Sequence, residues 1–271
     1  MAKKYTLPRK YADKLLLYEL SLQDPAFEVE FAVRQYRKRR GRRPLVLRED
    51  FCGTALNSCR WVAEHREARA IALDLDRSTL DWAHTHNRAP LAGASKRVDL
   101  RHQDVRAVTR PKADVIQAFN FSSYLFNPLP ELMTYFRCVR RSLAPGGIFM
   151  LDGYGGWDSQ QILKEPRTVK SPSGTFGYVW DQADFNPIDG LALCHIHFEF
   201  KNQKKWKQAF TYHWRIYSPP EIRDALTATG FQNVTILWDF EDDEDASDFR
   251  PAKQVDNCPG WIFYVIAEGS S

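Results

Sequence analysis

The segment from Pro44 to Asp76, PLVLREDFCGTALNSCRWVAEHREARAIALDLD, constrains this chain more than any other. An apolar run, a tight turn around Gly53, a helical stretch and a second apolar run ending in an acid make a strand, a helix and a strand in succession. Units of this kind bind adenosine-containing ligands at the carboxyl ends of parallel strands. The remaining chain is placed relative to it.

Downstream, Val98 to His102, Ala113 to Phe119 and Ile148 to Asp152 read as further strands. They are separated by helical patterns at Ser78 to His86 and Glu131 to Leu143, the second broken at Pro145-Gly146-Gly147. Strands alternating with helices at this spacing predict a parallel α/β sheet. Upstream, Leu15, Leu16, Leu20, Phe27, Phe31 and Tyr36 predict two short helices, with Asp24-Pro25 as a helix start. From Thr168 to Tyr217 the pattern changes to alternation: YVWDQADF, LALCHIHFEF and KQAFTYHWRIY predict three antiparallel strands inserted as a cap. In the middle one, His195, His197 and Glu199 share a polar face. Pro219 to Thr229 returns to a helix, and Val234 to Phe240 and Trp261 to Ala267 are two last strands. The acidic loop between them is expected to be mobile.

Composition narrows the setting. With 44% hydrophobic and 27% charged residues among 271, the chain is of the globular kind. It shows no apolar run of membrane length and no secretory leader pattern, so a cytoplasmic location is expected. Five scattered cysteines without metal-like spacing predict free thiols and no metal site. A basic run, RKRRGRR at 37–43, and an acidic run, EDDED at 241–245, read as solvated surface or as docking patches.

Residues 46–54, VLREDFCGT, resemble the first motif of class I S-adenosylmethionine-dependent methyltransferases, although Phe51 and Ala55 replace its first and last glycines. IALDLDRSTL at 71–80, Gln103-Asp104-Val105, ADVIQAFNF at 113–121 and RRSLAPGGIFMLD at 140–152 are similar to the motifs that follow in that family. WRIYSPPEIRDALTATGF at 214–231 resembles the re-entry from a β cap in its small-molecule members.

The resemblance implies a Rossmann-like, doubly wound seven-stranded sheet with a reversed C-terminal β-hairpin, an inserted antiparallel β cap and N-terminal lid helices. The expected domains are lid helices at 1–43, a core at 44–156 and 218–271, and a cap at 157–217. It implies S-adenosyl-L-methionine as cofactor, contacted by Glu49, Phe51, Cys52, Gly53 and Thr54. Asp74 and Leu75 would serve the ribose, Gln103, Asp104 and Val105 the adenine, and Asn120 the turn after the fourth strand. Tyr18, and with it Tyr11 on the substrate side, would close as a lid. Each has a plain alternative: Asp74 as a helix cap, Asp104 and Asn120 as turn formers, Glu49 as a surface acid beside Arg48.

The expected acceptor is a small molecule held between core and cap. Tyr11, Tyr124, Tyr154, Trp180, Glu199 and Trp214 are its candidate contacts, and His195, His197 and Tyr212 the candidate catalytic groups; a solvated sheet face explains the histidines equally well. Rival readings are a nucleic-acid methyltransferase, favoured by the basic run; an NAD-dependent oxidoreductase, disfavoured by the missing GxGxxG; and a cofactor-binding protein without activity. The oligomeric state is open, with a homodimer as one option.

Overall fold

The computed structural model describes residues 5–240 and 249–269, so the acidic run lies outside the described residues. The chain divides into two units. One comprises Met1–Gln23, Gly155–Ile216 and Asn257–Gly260; the other comprises Asp24–Tyr154, Tyr217–Asp256 and Trp261–Ser271.

The larger unit is a sheet flanked by helices. Its strands are β1 (Val46–Asp50), β2 (Arg69–Asp74), β3 (Val98–His102), β4 (Ala113–Ala118), β5 (Leu143–Gly155), β10 (Gln232–Trp238), β11 (Arg250–Pro251) and β12 (Trp261–Glu268), in spatial order β11-β10-β12-β5-β4-β1-β2-β3. The pairs from β1 to β5 are parallel, and β10 runs antiparallel to β12. All six residues of β4 are buried, as an apolar run covered on both faces requires. The strand beyond the seven expected is β11, a two-residue edge too short to leave a periodic signal.

Helix α2 (Pro25–Arg40) is long, not short as expected, and it packs into this unit through buried Val29, Phe31, Ala32, Val33 and Tyr36. Asp24 caps it by accepting the Phe27 N–H at 3.1 Å, with Pro25 in the first turn where its missing N–H costs nothing. Helices α3 (Leu56–Glu64), α4 (Arg77–Ala83), α5 (Leu129–Ser142) and α6 (Pro219–Ala228) complete the layers. The helix expected to reach His86 changes at Ala83 into a π-helical turn, His84–Arg88. The Pro145-Gly146-Gly147 turn falls within β5, with Gly146 at φ +70°.

The basic run is absorbed by the fold. Arg40 and Arg39 meet Glu268 at 2.5 and 3.6 Å, Arg42 meets Asp114 at 2.8 Å, and Arg43 meets Glu64 at 3.4 Å. Four of its six basic residues are thus paired, by three acids, which weakens the observation that favoured a nucleic-acid partner.

The smaller unit holds α1 (Lys14–Leu22) and a four-stranded antiparallel sheet of β6 (Leu163–Ser171), β7 (Gly174–Asn186), β8 (Leu191–Glu199) and β9 (Lys205–Arg215), in that order. Three strands were expected. The missed β6 is a polar, largely exposed edge containing Pro166, which carries no alternation to read. One face of this sheet is apolar: Phe176, Tyr178, Ile196, Phe198 and Phe200 pack with Leu7 and Leu17.

Candidate functional site

At the end of β1 the chain turns sharply, and Phe51, Gly53 and Ala55 have φ of +56°, +51° and +54°. Phe51 and Ala55 thus adopt the left-handed backbone that glycine usually supplies, at a cost of about 1–2 kcal/mol each. Two tertiary bonds and one local bond hold the turn: Cys52 N–H donates to the Leu73 carbonyl at 2.9 Å, Gly53 N–H to Asp74 Oδ2 at 2.7 Å, and Ala55 N–H to the Cys52 carbonyl at 2.7 Å. The Phe51 ring is half-buried and lies edge-on to Phe126 and Tyr135, both at 5.8 Å. Buried Thr54 accepts from Asn87 Nδ2 at 2.9 Å through its carbonyl.

Strand alternation sends neighbouring acids to opposite faces. Asp50 faces Arg48, whose guanidinium bonds it at 2.6 and 3.2 Å and reaches the carbonyls of Val105 and Ala107 and the hydroxyls of Thr109 and Ser142. Tyr135 completes this buried cluster by donating to Asp50 at 2.7 Å. On the other face Glu49 accepts the Ser58 N–H at 2.8 Å and the Ser58 hydroxyl at 2.5 Å, in the first turn of α3. The surface-acid reading of Glu49 is therefore wrong: Glu49 is 5% exposed and Arg48 fully buried. Burial, followed by the nearby charges of Asp74 and Asp50, pushes the Glu49 carboxyl up to about 7.

Asp74 ends β2 and uses both oxygens locally, Oδ2 on Gly53 N–H and Oδ1 on Asp76 N–H at 2.8 Å. The cap of α4 is Asp76 instead, accepting from Ser78 and Thr79. Leu75 is exposed. Gln103 N–H donates to the Asp74 carbonyl at 3.0 Å, which draws the turn after β3 beside β2. Asp104 is held by Arg106 through both oxygens, at 3.1 and 2.6 Å, and this pairing keeps its carboxyl below the usual range. After β4, Asn120 and Phe121 both have φ +59°, and Asp152 on β5 accepts their N–H groups at 2.9 and 2.8 Å. The Phe121 and Tyr154 rings meet at 4.8 Å. Tyr124 is fully buried, its hydroxyl 2.9 and 3.1 Å from the carbonyls of Tyr154 and Tyr217, a place in the core.

Glu49, the turn from Phe51 to Thr54, Asp74, Gln103 and Asn120 are thus gathered at the carboxyl ends of β1 to β4. Tyr124 and Tyr154 aside, the expected lid, substrate and catalytic residues lie in the smaller unit. Exposed Tyr11 carries the Lys10 ammonium 4.7 Å above its ring. Tyr18 packs on Phe210 at 4.9 Å and bonds Tyr212. Tyr212 in turn stacks on Trp214 at 4.5 Å, with Trp180 5.7 Å from Trp214. This aromatic set shares the apolar face of the sheet, whereas His195 and His197 point to the opposite face, so the expected grouping of Tyr212 with the histidines does not form.

On the polar face, His197 Nε2 lies 2.8 Å from Asp181, which Lys164 also reaches at 2.8 Å, and His197 Nδ1 accepts the Gln208 N–H at 2.8 Å. His195 Nδ1 meets the Thr211 hydroxyl at 2.9 Å, and burial lowers its pKa. Glu199 pairs with Lys205 at 2.6 Å. No cluster of three metal-ligating side chains occurs among the described residues.

The same architecture occurs in solved structures. A methyltransferase from Clostridium acetobutylicum described as S-adenosylmethionine-dependent aligns with a TM-score of 0.70 at 16% identity, covering 94% of this chain and 97% of that one. An amino pentose methyltransferase of Micromonospora echinaspora gives 0.68 at 14% identity, covering 93% and 94%. A sugar N-methyltransferase of Streptoalloteichus sp. gives 0.66 at 17% identity, covering 100% and 99%. Identities this low establish the fold. Comparison with curated protein sequences finds no match. Residues 50–151 match the model of a methyltransferase domain. That segment of the chain is a methyltransferase domain.

Sequence reasoning missed three buried polar residues: Asp152 on β5, Glu28 in the first turn of α2 and Asn57 in the first turn of α3. Asp152 is 6% exposed, Glu28 6% and Asn57 2%, and Asn57 Nδ2 donates to Glu28 Oε2. Asp152 had a signal, an acid closing the apolar run IFMLD. Glu28 and Asn57 had none, because only the packing of α2 on α3 brings them together.

Proposed function

We propose that this protein transfers the methyl group of S-adenosyl-L-methionine to a small-molecule acceptor. One observation carries the reading: the left-handed turn at Gly53 and the acid at the end of β2 are joined by a direct hydrogen bond at the carboxyl edge of a parallel sheet. The residues present fit this cofactor. A Cβ added at Gly53 would meet nothing within 4 Å, so the turn is open on the side where a ligand approaches. Glu49, Asp74 and Asp152 supply acceptors and negative charge, suited to a ligand bearing ribose hydroxyls and positive charge. The turn lacks the multiple glycines and basic residue of a phosphate cradle, which disfavours a dinucleotide.

When bound, the cofactor supplies an electrophilic methyl group on a sulfonium sulfur. The protein's share is positional. Asp74 fixes the turn, Asn120 and the aromatic rings of Phe121 and Tyr154 line the edge after β4, and apolar walls exclude water. The adenine contact falls to Gln103 and Val105 more than to Asp104, whose carboxylate Arg106 occupies. A neutral His195 can accept the proton that an amine or hydroxyl acceptor must lose, with Glu199 on the same face of its strand as its proposed companion. The acceptors named for the structural neighbours, an amino pentose and a sugar, make a sugar-like amine or hydroxyl the first class to assay.

S-adenosyl-L-homocysteine at 100 times its Kd should stabilise the protein by about 2.7 kcal/mol. Tracing a labelled methyl group through a set of amino sugars should then reveal the acceptor. Absence of any thermal shift would overturn the proposal.

A further inference from the structure

Glu28 lies in the first turn of α2 and Asn57 in the first turn of α3, the helix that follows the Gly53 turn. Asn57 Nδ2 donates to the Glu28 carboxylate, so the amide is fixed, yet Asn57 Oδ1 is buried with no partner among the described residues. A buried carbonyl oxygen left in this way carries an uncompensated desolvation cost. The Glu28 carboxyl beside it accepts from that amide through Oε2. The charges acting most strongly on it are Asp152, Glu49 and Asp24, acids without exception, and burial together with their repulsion pushes it up to about 8. The cradle presents carboxyl and amide oxygens, with acids as its nearest charged neighbours.

We propose that Glu28 and Asn57 bind the α-ammonium group at the amino-acid end of the cofactor. The inference rests on the methyltransferase reading and assigns a site within it. The choice between the cofactor's two positive groups follows from hydrogen-bond inventory. A sulfonium has no N–H and would leave Asn57 Oδ1 unmatched, whereas an ammonium brings three donors to the Asn57 carbonyl and the Glu28 carboxylate. A cation also offsets the cost of burying Glu28 in its charged form among other acids. The position agrees, since the α3 first turn that carries Asn57 follows directly on the turn that Asp74 holds.

The test compares S-adenosyl-L-homocysteine with its analogue lacking the α-amino group, by calorimetry on the whole protein, wild type against Glu28→Gln. Removing the amino group should weaken binding to the wild type tenfold or more, and to Glu28→Gln less than threefold. Asn57→Ala should show the same levelling. At pH 8 and above the Tm of unliganded Glu28→Gln should equal or exceed that of the wild type, because there the substitution removes a repelled charge, so any weakened binding does not come from misfolding. Equal amino-group losses in wild type and variant, or none in the wild type, would overturn this assignment and leave the methyltransferase reading standing. Failure of the wild type to bind S-adenosyl-L-homocysteine at all would overturn both.

Discussion

The Asp74 carboxylate accepts the backbone N–H of Gly53 at 2.7 Å, so the end of the second strand holds the turn that follows the first. Asp74→Ala should release that turn and abolish the thermal shift produced by S-adenosyl-L-homocysteine. Gly53→Ala separates binding from folding. Its methyl group meets nothing within 4 Å, and the left-handed backbone costs about 1–2 kcal/mol, so the variant should fold with a modestly lowered Tm while losing at least tenfold in cofactor affinity. Unchanged affinity would place the ligand elsewhere.

Asp152 does for the turn after β4 what Asp74 does for the turn after β1. It holds two consecutive N–H groups, on Asn120 and Phe121. In Asp152→Asn an amide NH2 must replace one accepting oxygen and face a donor. Urea unfolding should register a loss of about 1–3 kcal/mol.

The pair Arg48 and Asp50 is fully buried behind the same edge. Removing one partner leaves an uncompensated charge, so Asp50→Asn should cost about 3–5 kcal/mol, measured by denaturant titration.

Three buried acids set the pH dependence. Glu28 is raised to about 8, and Glu49 and Asp152 to about 7, burial being the largest cause for each. In the unfolded chain the same groups release protons near pH 4. Between the two values the native state holds more protons than the unfolded state, so stability falls as pH rises through this window. The unliganded protein should show a Tm that declines from about pH 5 to about pH 8. In Glu28→Gln the decline should be shallower, and an identical slope would contradict the assignment of part of it to Glu28.

Much of this architecture was legible because it rests on local periodicity. The apolar runs of β1, β2 and β4 located the parallel sheet, and the alternation through Cys194 and Phe200 set His195 and His197 on the polar face of the cap. Strands without such a signal escaped. Pro166 and its polar neighbours hid β6, and two residues are too few to announce β11. Tyr212 was grouped with the histidines because one strand's alternation says nothing about which face the next strand shares with it; pairing register decides that.

The sequence by itself determined the parallel sheet, the turn at Gly53 and the acids at the strand ends, since each depends on residues close together in the chain. Tertiary structure alone decided how those residues are used. It forced Phe51 and Ala55 into glycine's backbone region through bonds to Leu73 and Asp74, and matched the basic run to Glu268, Asp114 and Glu64. It also brought Glu28 to Asn57. Burial and partner choice are properties of packing between distant segments, and no local pattern encodes them.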